Sequence, residues 1–212
     1  MLNLIFDLDG VLIDTEKYYI QYWMEAAQSF GYPFTREMAL SFRSLDHELS
    51  QKQFHDYFGP EADVEAVREK RISLMSNIKV EPKPYAKEIA EFVREHNIPC
   101  CICTASSVEK ATRYLGYAGL GGLFPNIISA KGVAHGKPYP DPYINACAKL
   151  GIEPKDALCV EDSPNGFRSA IAAGCKAVFC VDLTEATPEI QEKAFAVIHS
   201  LEELPDILKT LF

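Results

Sequence analysis

The sequence predicts an α/β fold: a Rossmann-like parallel sheet core with an inserted α-helical cap. Three observations carry this. Short continuous apolar runs recur with helical stretches between them, the pattern of a parallel sheet buried on both faces. Helix start and stop signals fall between the runs. One long stretch, from about Asp14 to Val80, holds no strand-like run.

The strand-like runs are Leu2 to Phe6, Ile98 to Cys103, Asn126 to Ser129, Ala157 to Val160, Ala177 to Val181 and, more weakly, Phe195 to His199. Each is short and rich in β-branched or aromatic residues. Asp141-Pro142 reads as an N-cap followed by a first-turn proline, and Gly151 ends that helix. Ser163-Pro164 and Gly174 bracket another helix in the same way. In the strand-free stretch, Tyr19, Trp23, Ala27 and Phe30 form one apolar helical stripe. A second helical region runs from about Phe54 to Met75, with a break at Gly59-Pro60. Glu81-Pro82-Lys83-Pro84 reads as a stiff linker. The expected division is an α/β core of residues 1–13 and 81–212 around a helical cap of residues 14–80.

The chain of 212 residues has a formal net charge of −9, which argues against nucleic acid or an anionic membrane as a nonspecific partner. Its apolar runs are too short to span a bilayer. Most of the seven cysteines lie in apolar strand-like runs, no Cys/His spacing suggests zinc, and reduced buried thiols are expected. With a strand starting almost at Met1, no signal peptide is expected, and the protein is read as cytoplasmic. The histidines His47, His55, His96, His135 and His199 have no ligand spacing and are read as structural or surface residues.

Asp7 and Asp9 then stand out, because they end a strand built for burial, and burying charge is costly without compensation. Three other strand ends carry polar groups: Thr104-Ala105-Ser106-Ser107, Lys137 in the loop after the third strand, and Glu161-Asp162-Ser163. Taken singly, these fit an Asx turn, a helix cap, a solvated lysine and a solvated loop. Open α/β sheets bind ligands at the carboxyl ends of their strands, so side by side the four groups converge on one crevice. Clustered carboxylates repel, and Mg²⁺ would relieve that, since hard cations take oxygen ligands and accept phosphate in their shell. Lys137 and backbone N–H groups near Thr104 could hold phosphate oxygens. A carboxylate could attack phosphorus, and an acid two residues on could serve the leaving oxygen and then a water. The Asp7 spacing excludes an EF-hand, and Gly136-Lys137-Pro138 is not a P-loop.

These motifs resemble the haloacid-dehalogenase-like phosphatases, in the branch with a helical cap after the first strand that includes β-phosphoglucomutase-like enzymes. Asp7-Leu8-Asp9-Gly10-Val11, extended by Asp14-Thr15-Glu16, is similar to the first family motif, and Thr104 to the second. Lys137-Pro138-Tyr139-Pro140-Asp141-Pro142-Tyr143 is similar to the third. Glu161-Asp162-Ser163-Pro164-Asn165-Gly166, running on to Ala173-Gly174, is similar to the fourth. The resemblance implies Asp7 as nucleophile and Asp9 as general acid and base. It implies Thr104, Ala105 through its backbone, and Lys137 as phosphate ligands. It further implies Mg²⁺ held by the side chains of Asp7 and Asp162 and the carbonyl of Asp9, with Glu161 supporting the ion directly or through water.

The implied activity is phosphatase action on a small phosphate ester, most naturally a sugar phosphate, under a cap that excludes water. Dehalogenases of the superfamily need no acid two residues after the nucleophile, so Asp9 favours phosphoryl transfer. The alternative is a sugar phosphomutase. The mutases carry a cap histidine where Tyr19 aligns, and a phenol ordinarily loses its proton only near pH 10. Their cap arginine also falls about two places later than Arg43. Tyr19, Arg43, Lys70 and Arg71 are candidate specificity residues, with solvated surface the expectation for the last two. An idle binding protein on the same scaffold is disfavoured by the intact acid pair, lysine and Glu-Asp.

Overall fold

In the computed structural model, which describes residues 3–211, the chain begins with strand β1 (Asn3–Phe6). Four helices follow: α1 (Glu16–Ser29), α2 (Arg36–Ser41), α3 (His47–Phe58) and α4 (Val64–Leu74). The alternating part continues with α5 (Ala86–Glu95), β2 (Cys100–Thr104), α6 (Val108–Tyr117), β3 (Ile127–Ser129) and α7 (Asp141–Leu150). It ends with β4 (Ala157–Glu161), α8 (Pro164–Ala172), β5 (Lys176–Cys180), α9 (Pro188–Lys193), β6 (Ala196–Ile198) and α10 (Leu204–Lys209).

Among the described residues the sheet has six strands, all parallel, in the order β3-β2-β1-β4-β5-β6. All six expected runs form strands, with ends shifted by up to two residues. Leu2 lies outside the described residues. The second strand starts at Cys100 rather than Ile98 because the Ile98 N–H bonds back to Val93 in α5. Successive strand residues alternate between two cores, as the period of two requires. Leu4, Phe6, Ile102, Leu158 and Val160 pack on one face with α5, α6 and α10. Ile5, Cys101, Cys103, Cys159 and Phe179 pack on the other with α7, α8 and α9.

The sequence reading finds no Cys-X-X-Cys pair, and the chain corrects it: Cys100 and Cys103 have that spacing. They fall in opposite cores, so this strand cannot pair them. All seven cysteines are buried and free.

Helices α1 to α4 enclose an aromatic core of their own, in which Trp23, Phe34, Phe42 and Phe54 are fully or almost fully buried. The rings meet edge-on or stacked, with the Trp23 and Phe42 centroids 5.3 Å apart and those of Phe34 and Phe42 5.1 Å apart. The expected stripe on α1 holds at Trp23 and Ala27 but not at Phe30, which follows the last helical residue and is 46% exposed. The break at Gly59-Pro60 is real, but α3 begins at His47, well before Phe54, because Asp46 caps it by accepting from the Glu48 N–H. Helix α2, only six residues long, has no counterpart in the sequence reading.

The two chain segments joining these helices to the sheet run side by side. The Asp14 N–H donates to Glu81 O and the Lys83 N–H to Leu12 O, both at 2.9 Å. The presumed linker is therefore hydrogen-bonded backbone. One helix start differs in detail from expectation and another agrees with it. Asp141 is the first residue of α7 rather than its cap, with Pro140 before it. Ser163 caps α8 as expected, accepting from the Gly166 N–H.

Truncating a central ring tests the packing. Phe54→Ala should lower unfolding stability by about 3–5 kcal/mol, read from urea denaturation. A loss below about 1 kcal/mol would contradict the packing described.

Candidate active site

β1 and β4 are neighbours in register, Phe6 opposite Val160, and the Asp7 N–H extends the ladder to Val160 O. That register brings Asp7 beside Glu161 and Asp162. One oxygen from each of the three lies within 4.8 Å of the others, and all three residues are buried. At that separation two ionised carboxylates repel by about 3–4 kcal/mol at an effective dielectric of 20. Lys137, 2% exposed, reaches in from the loop after β3 to donate to Asp7 Oδ1 at 2.8 Å and Glu161 Oε1 at 2.6 Å. The Tyr143 hydroxyl also donates to Glu161 Oε1.

A second cation comes from the helical segment. Arg43 is fully buried, donating to Glu16 Oε2 at 2.9 Å, to Thr184 Oγ1 at 2.9 Å and to Asp162 Oδ2. Its Nη2 lies 3.7 Å from Asp182, which Lys83 pairs from the other side at 2.7 Å. Arg43 therefore ties helices to sheet instead of lining a substrate cavity, which corrects its reading as a specificity residue. Asn165 and Asp46 strengthen the same junction, Asn165 donating to Arg43 O and Asp46 accepting from the Gly136 N–H. Glycine is required where this network is tightest. Gly10 has φ +85°, and a Cβ there would collide with the Asp162 carboxylate.

The network is short of positive charge. Asp7, Glu16, Glu161, Asp162 and Asp182 share Arg43, Lys83 and Lys137. Asp162 Oδ1 is buried without a hydrogen-bond partner. Burial pushes the Asp7 carboxyl up to about 8, with Lys137 pulling it down and Glu161 and Asp9 pushing it further up. Burial likewise raises Asp162 well above the ordinary range, opposed by Arg43, and Glu16 to about 7. An all-oxygen donor set with an orphaned buried oxygen and excess negative charge fits a hard divalent cation.

The other expected residues gather nearby. Asp9, partly exposed, accepts from the Thr15 hydroxyl, and the Ser106 hydroxyl lies 3.5 Å away. Thr104, fully buried at the end of β2, accepts from the Ser106 N–H at 3.0 Å and caps no helix, since Ser107 caps α6. Asp7, Asp9 and Ala105 line a cavity of about 430 Å³ that also touches Glu16, Tyr19 and Arg71. Arg71 corrects the expectation of solvated surface: its guanidinium lies 4.4 Å from the Tyr19 ring centroid and 4.9 Å from that of Trp23. Lys70 is exposed. Tyr143 was legible within Lys137–Tyr143 but was given no role; the acid partners of Arg43 and the pairing of Asp46 carry no local signal.

Comparison with known proteins places the chain in a family. The family model for haloacid dehalogenase-like hydrolases matches residues 4–180. Hexitol phosphatase A of Escherichia coli strain K12 is 31% identical, covering 94% of this chain and 91% of that protein. β-Phosphoglucomutase of Bacillus subtilis strain 168 is 28% identical over 84% of this chain and 82% of that protein. The crystal structure of a hydrolase from Pseudomonas syringae shares the fold with a TM-score of 0.86, at 23% identity and 99% coverage of both chains. Among the described residues no helix is long and apolar enough to cross a membrane.

The raised carboxyls fix a sign for cation binding. Asp7 holds its proton to about 8 in the fold against an ordinary value of 3.8. Without a cation, its contribution to stability is therefore full at acid pH and declines as pH rises from about 4 through 8. Millimolar Mg²⁺ should raise the melting temperature, and by more at pH 8.5 than at pH 6, because cation and proton compete for the same oxygens. Equal shifts at both pH values, or none, would contradict a cation site at these carboxylates.

Proposed function

The chain belongs to the haloacid dehalogenase-like hydrolases as a phosphoric monoester hydrolase, and on that premise we propose that it is a Mg²⁺-dependent phosphatase of a small phosphorylated sugar, acting through an aspartyl-phosphate on Asp7. One observation carries the reading: Asp7 faces the cavity from a buried position where Lys137 touches it and Asp162, which keeps one unpartnered buried oxygen, has a carboxylate oxygen within 4.8 Å. The named relatives that act on hexitol phosphates and phosphoglucose support a sugar as the leaving group.

In this reading Asp7, Glu161 and Asp162 hold Mg²⁺, together with the Asp9 carbonyl. When bound, a divalent cation there would neutralise phosphate charge and favour the ionised form of Asp7. Lys137, Thr104 and the backbone at Ala105 hold the phosphoryl oxygens. An Asp7 carboxylate oxygen attacks phosphorus as the bond to the sugar oxygen breaks. Asp9, oriented by the Thr15 hydroxyl, gives its proton to that oxygen. Asp9 then takes a proton from water as the water oxygen attacks phosphorus, releasing orthophosphate and restoring Asp7. Residues 14–80 act as the cap over residues 1–13 and 81–212. The paired segments at Leu12–Asp14 and Glu81–Lys83 connect them, and Arg43 fastens the closed arrangement.

Return of the phosphate to the sugar, as in a mutase, is the weaker reading. Tyr19 lines the cavity where mutases carry histidine, and Arg43 is engaged by Glu16 and Asp162.

Phosphate release is the test, from an aryl phosphate and a panel of sugar phosphates, with Mg²⁺ and with chelator. Asp7→Asn should abolish release, by about four powers of ten or more, each worth about 1.4 kcal/mol of barrier. Asp9→Asn should cost about 10²–10⁴-fold in kcat/KM on sugar phosphates, and less on an aryl phosphate whose leaving group needs no proton. Full turnover in Asp7→Asn of verified metal content would overturn the reading.

A further inference from the structure

A short turn, residues 42–46, joins α2 to α3, and two of its members, Ser44 and Leu45, line the cavity. Ser44 takes a left-handed backbone, φ +54°, which few residues other than glycine adopt. On either side of it the turn reaches a different strand-end loop. Arg43 goes to Asp162, after β4, and Asp46 goes to the loop after β3 that carries Lys137. The role of Arg43 at its loop is already clear; that of Asp46 is not, since Asp46 does not itself line the cavity.

Asp46 meets that loop with side chain and main chain together. Its Oδ2 accepts from the Gly136 N–H at 2.6 Å, and its own N–H donates to Lys137 O at 2.7 Å. Its other oxygen, Oδ1, accepts from the Glu48 N–H at 2.8 Å and caps α3, so the carboxylate is held from both sides. An ionised acceptor makes such bonds stronger than neutral ones. Gly136 admits the close approach, because a Cβ there would lie 2.8 Å from Asp46 Oδ2.

The loop has little regular structure to fix it. Residues 130–140 contain no helix or strand, and Lys131, Gly132, Ala134 and His135 are exposed. Yet Lys137 must set its Nζ 2.8 Å from Asp7 Oδ1 and 2.6 Å from Glu161 Oε1. A lysine stem is flexible, so the point its ammonium reaches depends on where its main chain is held. The Gly136 N–H and the Lys137 carbonyl both end at Asp46.

We infer that Asp46 is a positioning residue for phosphoryl transfer: it acts through Lys137, holding that residue's main chain where the ammonium stands at Asp7. The inference rests on the phosphatase reading and deepens it, since in that reading Lys137 holds the phosphoryl oxygens. Docking of the helical segment then completes the phosphate site, through Asp46 at one loop as through Arg43 at the other. Misplacing a catalytic group by about 1 Å can lower a rate about 10²-fold. Because Lys137 serves the phosphoryl group and not the leaving group, the loss falls on every ester alike.

The experiment compares Asp46→Ser and Gly136→Ala with the unsubstituted enzyme. The first keeps a good cap on α3 but is too short to reach Gly136 as well. The second leaves Asp46 in place and pushes it off the loop. With Mg²⁺, each should lower kcat/KM at least tenfold, by the same factor on an aryl phosphate and on a sugar phosphate. The double variant should lose about as much as either single one, since both break one contact. Hydrogen exchange across residues 131–137 should quicken at least threefold while β1 and β4 keep their protection, which a general loosening of the fold would not allow. Asp63→Ala is the control. It removes the cap of α4, where Asp63 accepts from the Ala66 N–H, and should leave kcat/KM within twofold. A loss confined to the sugar phosphate would put the effect at the leaving group and overturn the inference. Unchanged rates, losses that multiply in the double variant, or unchanged exchange in the loop would overturn it too. Absence of phosphate release from any ester by the unsubstituted enzyme would count against the phosphatase reading instead, and the exchange measurement would still decide whether Asp46 anchors the loop.

Discussion

The structure depends on compensating a knot of buried carboxylates. Asp7, Glu161 and Asp162 are buried within a few ångströms of one another, and Glu16 and Asp182 join through Arg43. Such a group persists in a folded protein only if cations and donors surround it. Lys137 and Tyr143 answer Glu161, Lys137 answers Asp7, and Arg43 answers Asp162 and Glu16. The remaining deficit, marked by the unpartnered Asp162 oxygen, fits the divalent cation proposed for this site. Pocket, helical segment and chemistry are arranged around that deficit.

The fold produces the knot through its strand order. β1 lies between β2 and β4, so the chain reverses direction across the sheet at β1, the position where open α/β sheets bind ligands. Asp7, Thr104 and Glu161-Asp162 are the residues that end or follow those three central strands. Helices on both faces bury the strands, leaving the carboxyl ends as the place for polar groups. The helical segment covers that end, and its attachment is electrostatic as well as apolar. Arg43 makes docking of the helices and neutralisation of Asp162 one event.

What was legible in the sequence follows from the range of the interactions. Continuous apolar runs reveal buried parallel strands because burial on both faces leaves no alternation to confuse them, and all six were found. Asp7, Thr104, Glu161 and Asp162 could be read because each ends or follows a strand, and the sheet brings strand ends together; Lys137 joins them from the loop after β3. Helix α2 was not legible: six residues carry too little periodicity. Phe30 misled because it continues the helical spacing one residue past the point where α1 stops. Arg43 and Arg71 were misjudged for a different reason. The partners of Arg43 lie as far away as Asp162 and Asp182, and Arg71 is fixed by rings on another helix. A lone cation looks solvated in the sequence until the fold shows what it faces.

The central claim is that Asp7, the buried carboxylate that faces the cavity beside Lys137, accepts the phosphoryl group. The most direct measurement is to quench the enzyme during turnover with Mg²⁺ and substrate, reduce with borohydride, and map the peptides by mass. An acyl phosphate reduces to an alcohol, so the account predicts homoserine at position 7 and no other modified carboxylate. Reduction at another residue, or an unmodified position 7 in enzyme quenched at saturating substrate under conditions that trap an aspartyl-phosphate standard, would contradict it.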